Sequence, residues 1–122
     1  MIKQINFSEI AGYQKEAEKS GLCFSGSTIY FALIEAEQMR GFIGVVLYSN
    51  KAVVKNIFVP KEFRGHGYFK IMLTYILEFI KLKNISRVEA TCTEMSLREF
   101  LTRGFNVIRK YKTYTKVQYE NL

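Results

Sequence analysis

The stretch Val59-Pro60-Lys61-Glu62-Phe63-Arg64-Gly65-His66-Gly67-Tyr68-Phe69-Lys70 joins an apolar strand-like run, Ala52 to Val59, to a long apolar helix-like run, Tyr68 to Lys83. Two glycines spaced i, i+2 at a strand-to-helix turn let the backbone fold tightly and leave several N–H groups pointing outward. Those donors add to the positive end of the helix dipole and make a site for a polyanion such as a pyrophosphate. Arg64 and Lys70 bracket the loop with positive charge. The stretch is not a P-loop, because no Gly-Lys-Ser/Thr follows. Nor is it a dinucleotide fingerprint, since after the two spacers Tyr68 and Phe69 comes Lys70, where that pattern wants a third glycine.

Working outward, the helix is the firmest element. Phe69, Met72, Leu73, Ile76, Leu77 and Ile80 recur as one apolar stripe, and Ile71, Tyr75, Phe79 and Leu82 add a second beside it. So few positions remain polar that both stripes are expected to be covered, by the sheet on one side and by a neighbouring subunit in a homodimer on the other. Upstream, Thr28–Ile34, Gly41–Leu47 and Ala52–Val59 read as three strands with short turns, an antiparallel meander. Ile2 to Phe7 reads as a short strand, and Ser8 as the cap of a helix to about Lys19, stopped by Ser20-Gly21 ahead of a loop over residues 20–27. Downstream come a strand over Arg87–Thr91, a short helix Ser96–Arg103 with Gly104 as its C-cap, and a hairpin of Phe105–Arg109 and Thr113–Tyr119.

The glycine loop resembles the acyl-CoA pyrophosphate loop of the GNAT superfamily of N-acyltransferases. Val59, Phe63, Arg64, Gly67 and the following helix fit that pattern, and Phe100-Leu101-Thr102-Arg103-Gly104-Phe105 is similar to the family's second landmark, an aromatic-x-x-x-Gly-Phe ending the next helix. The resemblance covers residues 27 to 119 and implies an α/β (α+β) fold, a central mixed, largely antiparallel sheet flanked by helices. It also implies acetyl-CoA as co-substrate. Backbone groups of Ile57, Phe58 and Val59 would then pair with the pantetheine amides, and N–H groups of Arg64, Gly65, His66, Gly67, Tyr68 and Phe69 would hold the pyrophosphate. Rate enhancement would come mostly from holding acyl group and amine in line, worth up to ~7–11 kcal/mol, with donors for the developing oxyanion adding to it.

Three residues depart from the family pattern. Phe69 replaces a small residue, at a place where the side chain can point into the core. Phe100 stands where many relatives carry a tyrosine that protonates the leaving thiolate, and Val53 occupies the place of a carboxylate base. Glu94, just after the Arg87–Thr91 strand, is the candidate proton acceptor, or else a solvated residue at a helix entry. Ser96 caps the following helix or donates to the thiolate. His66, the lone histidine, lies in the loop beside the phosphates and far from the acyl group, so a phosphate contact is its only assigned role.

Length and composition set the frame. A chain of 122 residues with 48 % hydrophobic and 24 % charged residues makes one globular domain over residues 1–122, and the GNAT resemblance implies a cofactor-binding core over about 51–105. No 18-residue uncharged apolar run and no signal-peptide pattern occur, which points to a cytoplasmic protein without membrane contact. Cys23 and Cys92 form neither a disulfide framework nor, with His66, a metal-ligand spacing; Cys92 reads as a core thiol. Of the net charge of +7, residues 61–122 hold +6. That half suits a polyanionic cofactor, an acidic partner or nucleic acid. Around Arg109-Lys110-Tyr111-Lys112-Thr113-Tyr114-Thr115-Lys116, strand alternation would set Lys110, Lys112 and Lys116 on one face with Tyr114, as an edge guard or as a selector of acidic partners. The expected function is acetyl transfer to a primary amine by direct attack. The alternative is a CoA-binding or basic interaction module that has lost turnover.

Overall fold

β-Branched and aromatic residues alternating with a period of two build the strands, and the computed structural model places them in a seven-stranded sheet of order β1-β2-β3-β4-β5-β7-β6. Its described residues are 1–19 and 27–122, so the expected loop over 20–27, the Ser20-Gly21 stop and Cys23 fall outside them, apart from Ser27. The elements run β1 (Ile2–Ile5), a 3₁₀ stretch (Phe7–Tyr13), α1 (Gln14–Lys19), β2 (Ile29–Glu35), β3 (Gln38–Leu47), β4 (Ala52–Phe58), a 3₁₀ turn (Lys61–Phe63), α2 (Tyr68–Leu82), β5 (Val88–Cys92), α3 (Glu94–Thr102), β6 (Asn106–Lys110) and β7 (Thr115–Tyr119). All strand pairs are antiparallel except β4 with β5. A parallel pair needs a crossover, and α2 supplies it.

The sheet buries both faces unequally. On one face Val45, Val54, Val88, Ala90 and Val117 meet Met72, Leu73, Ile76 and Ile80 of α2 and Phe100 of α3 in the main core. On the other, Tyr30, Ala32, Phe42 and Phe58 meet Ile10 and Ala17 of the N-terminal helical segment. This second cover reaches β2, β3 and β4 only among the described residues, which leaves the β5–β7–β6 side of that face without a helix.

Several sequence expectations need correction. The N-terminal helix is split into a 3₁₀ stretch and a short α-helix, and Gly12 in the middle of the run, a poor helix former, accounts for the break. The second stripe of α2 is not among these: Tyr75 and Phe79 lie on Phe31 of β2 at ring-centroid distances of 5.5 and 5.0 Å, and the exposure of Ile71, Tyr75 and Leu82 in the single chain leaves the expected neighbouring subunit untested. Lys110, Lys112 and Lys116 do not share a strand face. Lys110 ends β6, Lys112 is in the turn and Lys116 is in β7, because the Tyr111 N–H bonds the Tyr114 carbonyl at 2.8 Å and their stacked rings, 4.5 Å apart, close the hairpin there. Helix α3 begins at Glu94 with Thr93 as N-cap, so Ser96 is not the cap. Its end comes one residue earlier than expected: Arg103, not Gly104, is the C-cap, Gly104 follows it with φ +94°, and the Phe105 N–H returns to the Phe100 carbonyl at 3.1 Å.

Candidate functional site

The parallel pair β4–β5 comes apart after three residues. Ala52, Val53 and Val54 pair with Val88, Glu89 and Ala90, yet β4 continues to Phe58 and β5 to Cys92. The cause lies in Asn56. Phe42 and Gly44 of β3 face Phe58 and Lys55 of β4, so β4 carries one extra residue over that span. Asn56 has φ +55°, a region asparagine tolerates better than most residues, and its buried amide donates to the Tyr30 hydroxyl at 3.0 Å. Such a bulge bends its strand away from a neighbour. From Lys55 onward β4 has no ladder to β5, which opens a cleft in the sheet whose apex is Val54 and Ala90. Beyond the apex, Ile57 and Val59 point to the main core and Phe58 to the second one.

The glycine loop stands at the wide end of that cleft. Arg64 does not project its charge into the loop as the sequence suggests. Its Nε donates to the Val59 carbonyl at 2.9 Å, its guanidinium lies 5.8 Å from the Phe58 ring, and Nη2 is 4.0 Å from Glu16 of α1. Its N–H is also used, bonded at 3.4 Å to the Lys61 carbonyl. Arg64 therefore fastens the loop to the strand and to α1. Glu16 completes the fastening by accepting the Lys61 N–H at 3.0 Å. Gly65 and Gly67 then turn the chain with φ +84° and +80°, and a Cβ on either would meet no atom within 4 Å. The first helical bond of α2 runs from the Ile71 N–H to the Gly67 carbonyl. Among the described residues, no acceptor meets the N–H groups of Gly65, His66, Gly67, Tyr68, Phe69 and Lys70, and no side chain caps the helix. A row of free donors at the positive end of a fifteen-residue helix is an anion cradle. His66 is exposed beside it. Phe69 turns inward to the main core and meets Phe100 edge-on at 6.1 Å, which explains how the loop accepts a large residue there.

The proposed acid–base residues fare differently. Glu94 is exposed at the first position of α3. The Ser96 hydroxyl donates to the Thr93 carbonyl at 3.4 Å. Burial pushes the Cys92 thiol pKa up, against a smaller opposing effect of its hydrogen bond with Ser96, so Cys92 stays a thiol and a poor nucleophile. Phe100 is buried, with Phe69 and Phe105 edge-on to its ring. Adding a hydroxyl in this apolar setting is unfavourable: Phe100→Tyr is expected to lower stability by about 1–3 kcal/mol and to leave turnover unraised, as thermal unfolding beside an activity assay would show.

The sequence reading missed Glu89. This β5 residue sits opposite Val53, one step before the cleft's apex, on the face away from α2. It is 4 % exposed and bound by three cations: Lys51 Nζ and Lys116 Nζ lie 3.3 Å from Oε1, and Arg87 Nη2 lies 3.1 Å from Oε2. Burial alone would raise its pKa, but the hydrogen bonds and charges of Lys51 and Lys116 outweigh burial and the net shift is downward. Glu89 is thus a carboxylate at neutral pH. The signal was present: an acidic residue inside the apolar run Val88-Glu89-Ala90 is costly unless it is paired. Elsewhere, a surface concavity of about 330 Å³ is lined by Gly104, Asn106, Gln118, Tyr119, Glu120 and Asn121, none of them in the glycine loop. Among the described residues no cluster of ligating side chains could hold a metal ion, and no helix is long and apolar enough to cross a membrane.

Comparison with known proteins gives this geometry a lineage. The model of the acetyltransferase (GNAT) family matches residues 4–105. The chain belongs to that family. No curated protein matches the sequence. Similar solved structures include a GNAT family acetyltransferase from Elizabethkingia anophelis with acetyl-CoA bound, with 12 % identity, a TM-score of 0.78 and coverage of 98 % of this chain and 97 % of that one. The ribosomal-protein-S18-alanine N-acetyltransferase of Escherichia coli has 13 % identity and a TM-score of 0.78, with 99 % and 93 % covered. The N-acetylglutamate synthase of Neisseria gonorrhoeae, complexed with coenzyme A and N-acetyl-glutamate, has 14 % identity and a TM-score of 0.83; all of this chain aligns, spanning 35 % of the synthase. At these identities the likeness is one of fold: the mixed sheet with flanking helices is that of GNAT acetyltransferases.

Proposed function

We propose that this GNAT protein transfers the acetyl group of acetyl-CoA to a primary amine by direct attack. The observation that carries this reading is the open row of N–H donors from Gly65 to Lys70, set at the wide end of the β4–β5 cleft. The residues present fit the co-substrate. The loop offers donors and helix charge to a pyrophosphate, and the missing Cβ atoms of Gly65 and Gly67 leave space for its approach. The unladdered backbone of Ile57, Phe58 and Val59 offers an edge to an extended amide chain, as a sheet edge does to an added strand. Acetyl-CoA contributes an acyl carbonyl with a thiolate leaving group. The structure of Elizabethkingia anophelis acetyltransferase with acetyl-CoA bound adds a precedent from the same family.

The chain's own residues then position the reactants. Lodged against Ile57–Val59, the acyl group would reach the apex at Val54 and Ala90, and an amine would meet it from the face opposite α2. An ordinary alkylamine, pKa near ~10.4, must lose a proton first. Glu89 is the carboxylate the strands bring to that apex, and it or a water beside it accepts the proton, with Glu94 and Ser96 further along the chain at the entry of α3. Its lowered pKa makes Glu89 a weak base, so orientation supplies most of the acceleration.

Thermal unfolding with and without acetyl-CoA tests the reading, with CoA and ATP as controls. Ligand at a hundred times its Kd adds ~2.7 kcal/mol, a rise of roughly 10 °C for a domain this size. A rise with acetyl-CoA and CoA but not ATP is the expected result; no rise would sink the assignment. A second reading, a CoA-binding module without turnover, is favoured by Phe100 and Val53, which leave two places of the family pattern without a titratable group. Ligand-induced stabilisation without thiol release across an amine panel would establish it.

A further inference from the structure

Beyond β4, the sheet face opposite α2 is a field of positive charge. Residues directly opposed across strands share a face, so the pairing places Val53, Glu89, Gln118 and Asn106 in one row and Thr91, Lys116 and Arg109 in the next. Lys55, two positions after Val53, lies on the same face beside the cleft. Lys51 and Arg87 reach onto it to bind Glu89. The five cations Lys51, Lys55, Arg87, Arg109 and Lys116 face two carboxylates, Glu89 and Glu120, the latter held at 3.5 Å by the Gln118 amide. Lys55 and Arg109 have no ion-pair partner among the described residues. The cleft's apex opens onto this field, on the side from which the amine is proposed to come.

We propose that this face binds an acidic polypeptide and that the amine to be acetylated belongs to that polypeptide. The proposal rests on the acetyl-transfer reading and names its substrate class. Charge complementarity sets the sign of the partner. The layout sets its form: the cations are spread over four strands, about 14 Å at the usual inter-strand spacing, on an open surface. An extended chain, whose same-side residues recur every ~7 Å, can place successive carboxylates along such a field. A small amino acid would need convergent groups in a concavity. A single-stranded nucleic acid would need rings free to stack on bases, whereas the tyrosines at this end, Tyr111 and Tyr114, stack on each other at 4.5 Å and Arg109 lies 5.0 Å from the Tyr111 ring.

The test is fluorescence anisotropy with three labelled peptides of equal length and free N-terminal amines, one glutamate-rich, one neutral and one lysine-rich, beside labelled oligothymidylate. The expected order is glutamate-rich over neutral by at least about tenfold, with no binding of the lysine-rich peptide and affinity falling as salt rises. Lys55→Glu with Arg109→Glu should lose at least about tenfold in affinity for the acidic peptide, and each single variant part of that, while the rise in unfolding temperature with acetyl-CoA is unchanged. The unliganded midpoint of each variant verifies that it is folded. Equal binding of acidic and neutral peptides, or undiminished binding by folded variants, overturns the proposal. Tighter binding of oligothymidylate overturns it in favour of nucleic acid. Because anisotropy needs neither acetyl-CoA nor turnover, failure of the acetyl-transfer reading shows separately, as a missing response to acetyl-CoA.

Discussion

Gly67→Asn is expected to abolish the stabilisation by acetyl-CoA while the protein remains folded. Gly67 holds φ +80° and ψ +9°, in the left-handed region, where a side chain normally strains the backbone by about 1–2 kcal/mol. Asparagine is among the few residues that enter this region readily, so most of the strain is avoided. Nothing within 4 Å opposes its Cβ, so the substitution creates no clash inside the protein. The added group instead occupies the open side of the loop. Its carbonyl can also accept one of the free N–H groups of Tyr68 to Lys70, as capping side chains do. Space and donors are both withdrawn from a pyrophosphate. We expect an unliganded midpoint within a few degrees of wild type, from a cost below about 1 kcal/mol, and at least a hundredfold weaker acetyl-CoA binding, so that the ~2.7 kcal/mol of stabilisation falls to ~0.4 kcal/mol or less. Gly67→Val would confound the comparison, because a β-branched residue at this φ adds strain of its own. A full ligand response in Gly67→Asn would remove the loop from the binding site.

What the sequence disclosed and what it hid divide along a physical line. The loop, α2 and the Gly104 stop were legible because local rules write them: two glycines, one 3.6-residue stripe and one left-handed position are read without knowing the neighbours. The family match to residues 4–105 and the mixed sheet agree with that reading. The cleft was not legible, because it depends on Asn56 adding a residue to β4 relative to β3 and on Tyr30, distant in sequence, receiving its amide. Residue type gives Arg64 a charge that brackets the loop but not a direction, and its side chain turns back to Val59. Alternation groups Lys110, Lys112 and Lys116 only if it runs unbroken through residues 111–114, and those residues form a turn. Glu89 is harder to find than Glu94 because its partners Lys51, just ahead of β4, Arg87, just ahead of β5, and Lys116, in β7, are distant in sequence, and only pairing across β4, β5 and β7 brings them together.

Glu89→Ala should be the most destabilising substitution at the cleft. The carboxylate is buried and holds Lys51, Arg87 and Lys116 within 3.1–3.3 Å. Removing it leaves three like charges facing one another without their counter-ion. Breaking a buried ion pair costs about 3–5 kcal/mol, and because the three cations are a third to a half exposed, their charges are partly screened and the low end, about 3 kcal/mol, applies. That lowers the midpoint by roughly 10 °C. Glu89→Gln keeps the shape and removes the charge, and it isolates the electrostatic part. The pH dependence has a definite sign. The folded-state pKa of Glu89 is lowered, so its contribution is fully present above the ordinary carboxylate pKa and is lost as pH falls through the lowered folded value. Wild type should therefore lose its advantage over Glu89→Gln on acidification, the two stability curves converging below the ordinary glutamate range. Parallel curves from neutral to acid pH would show that the charge contributes nothing and that only packing holds the three cations here. Activity supplies the second readout: if Glu89 or the water beside it takes the amine's proton, Glu89→Gln slows turnover at saturating acetyl-CoA and leaves the ligand-induced midpoint rise intact, since the glycine loop does not touch it.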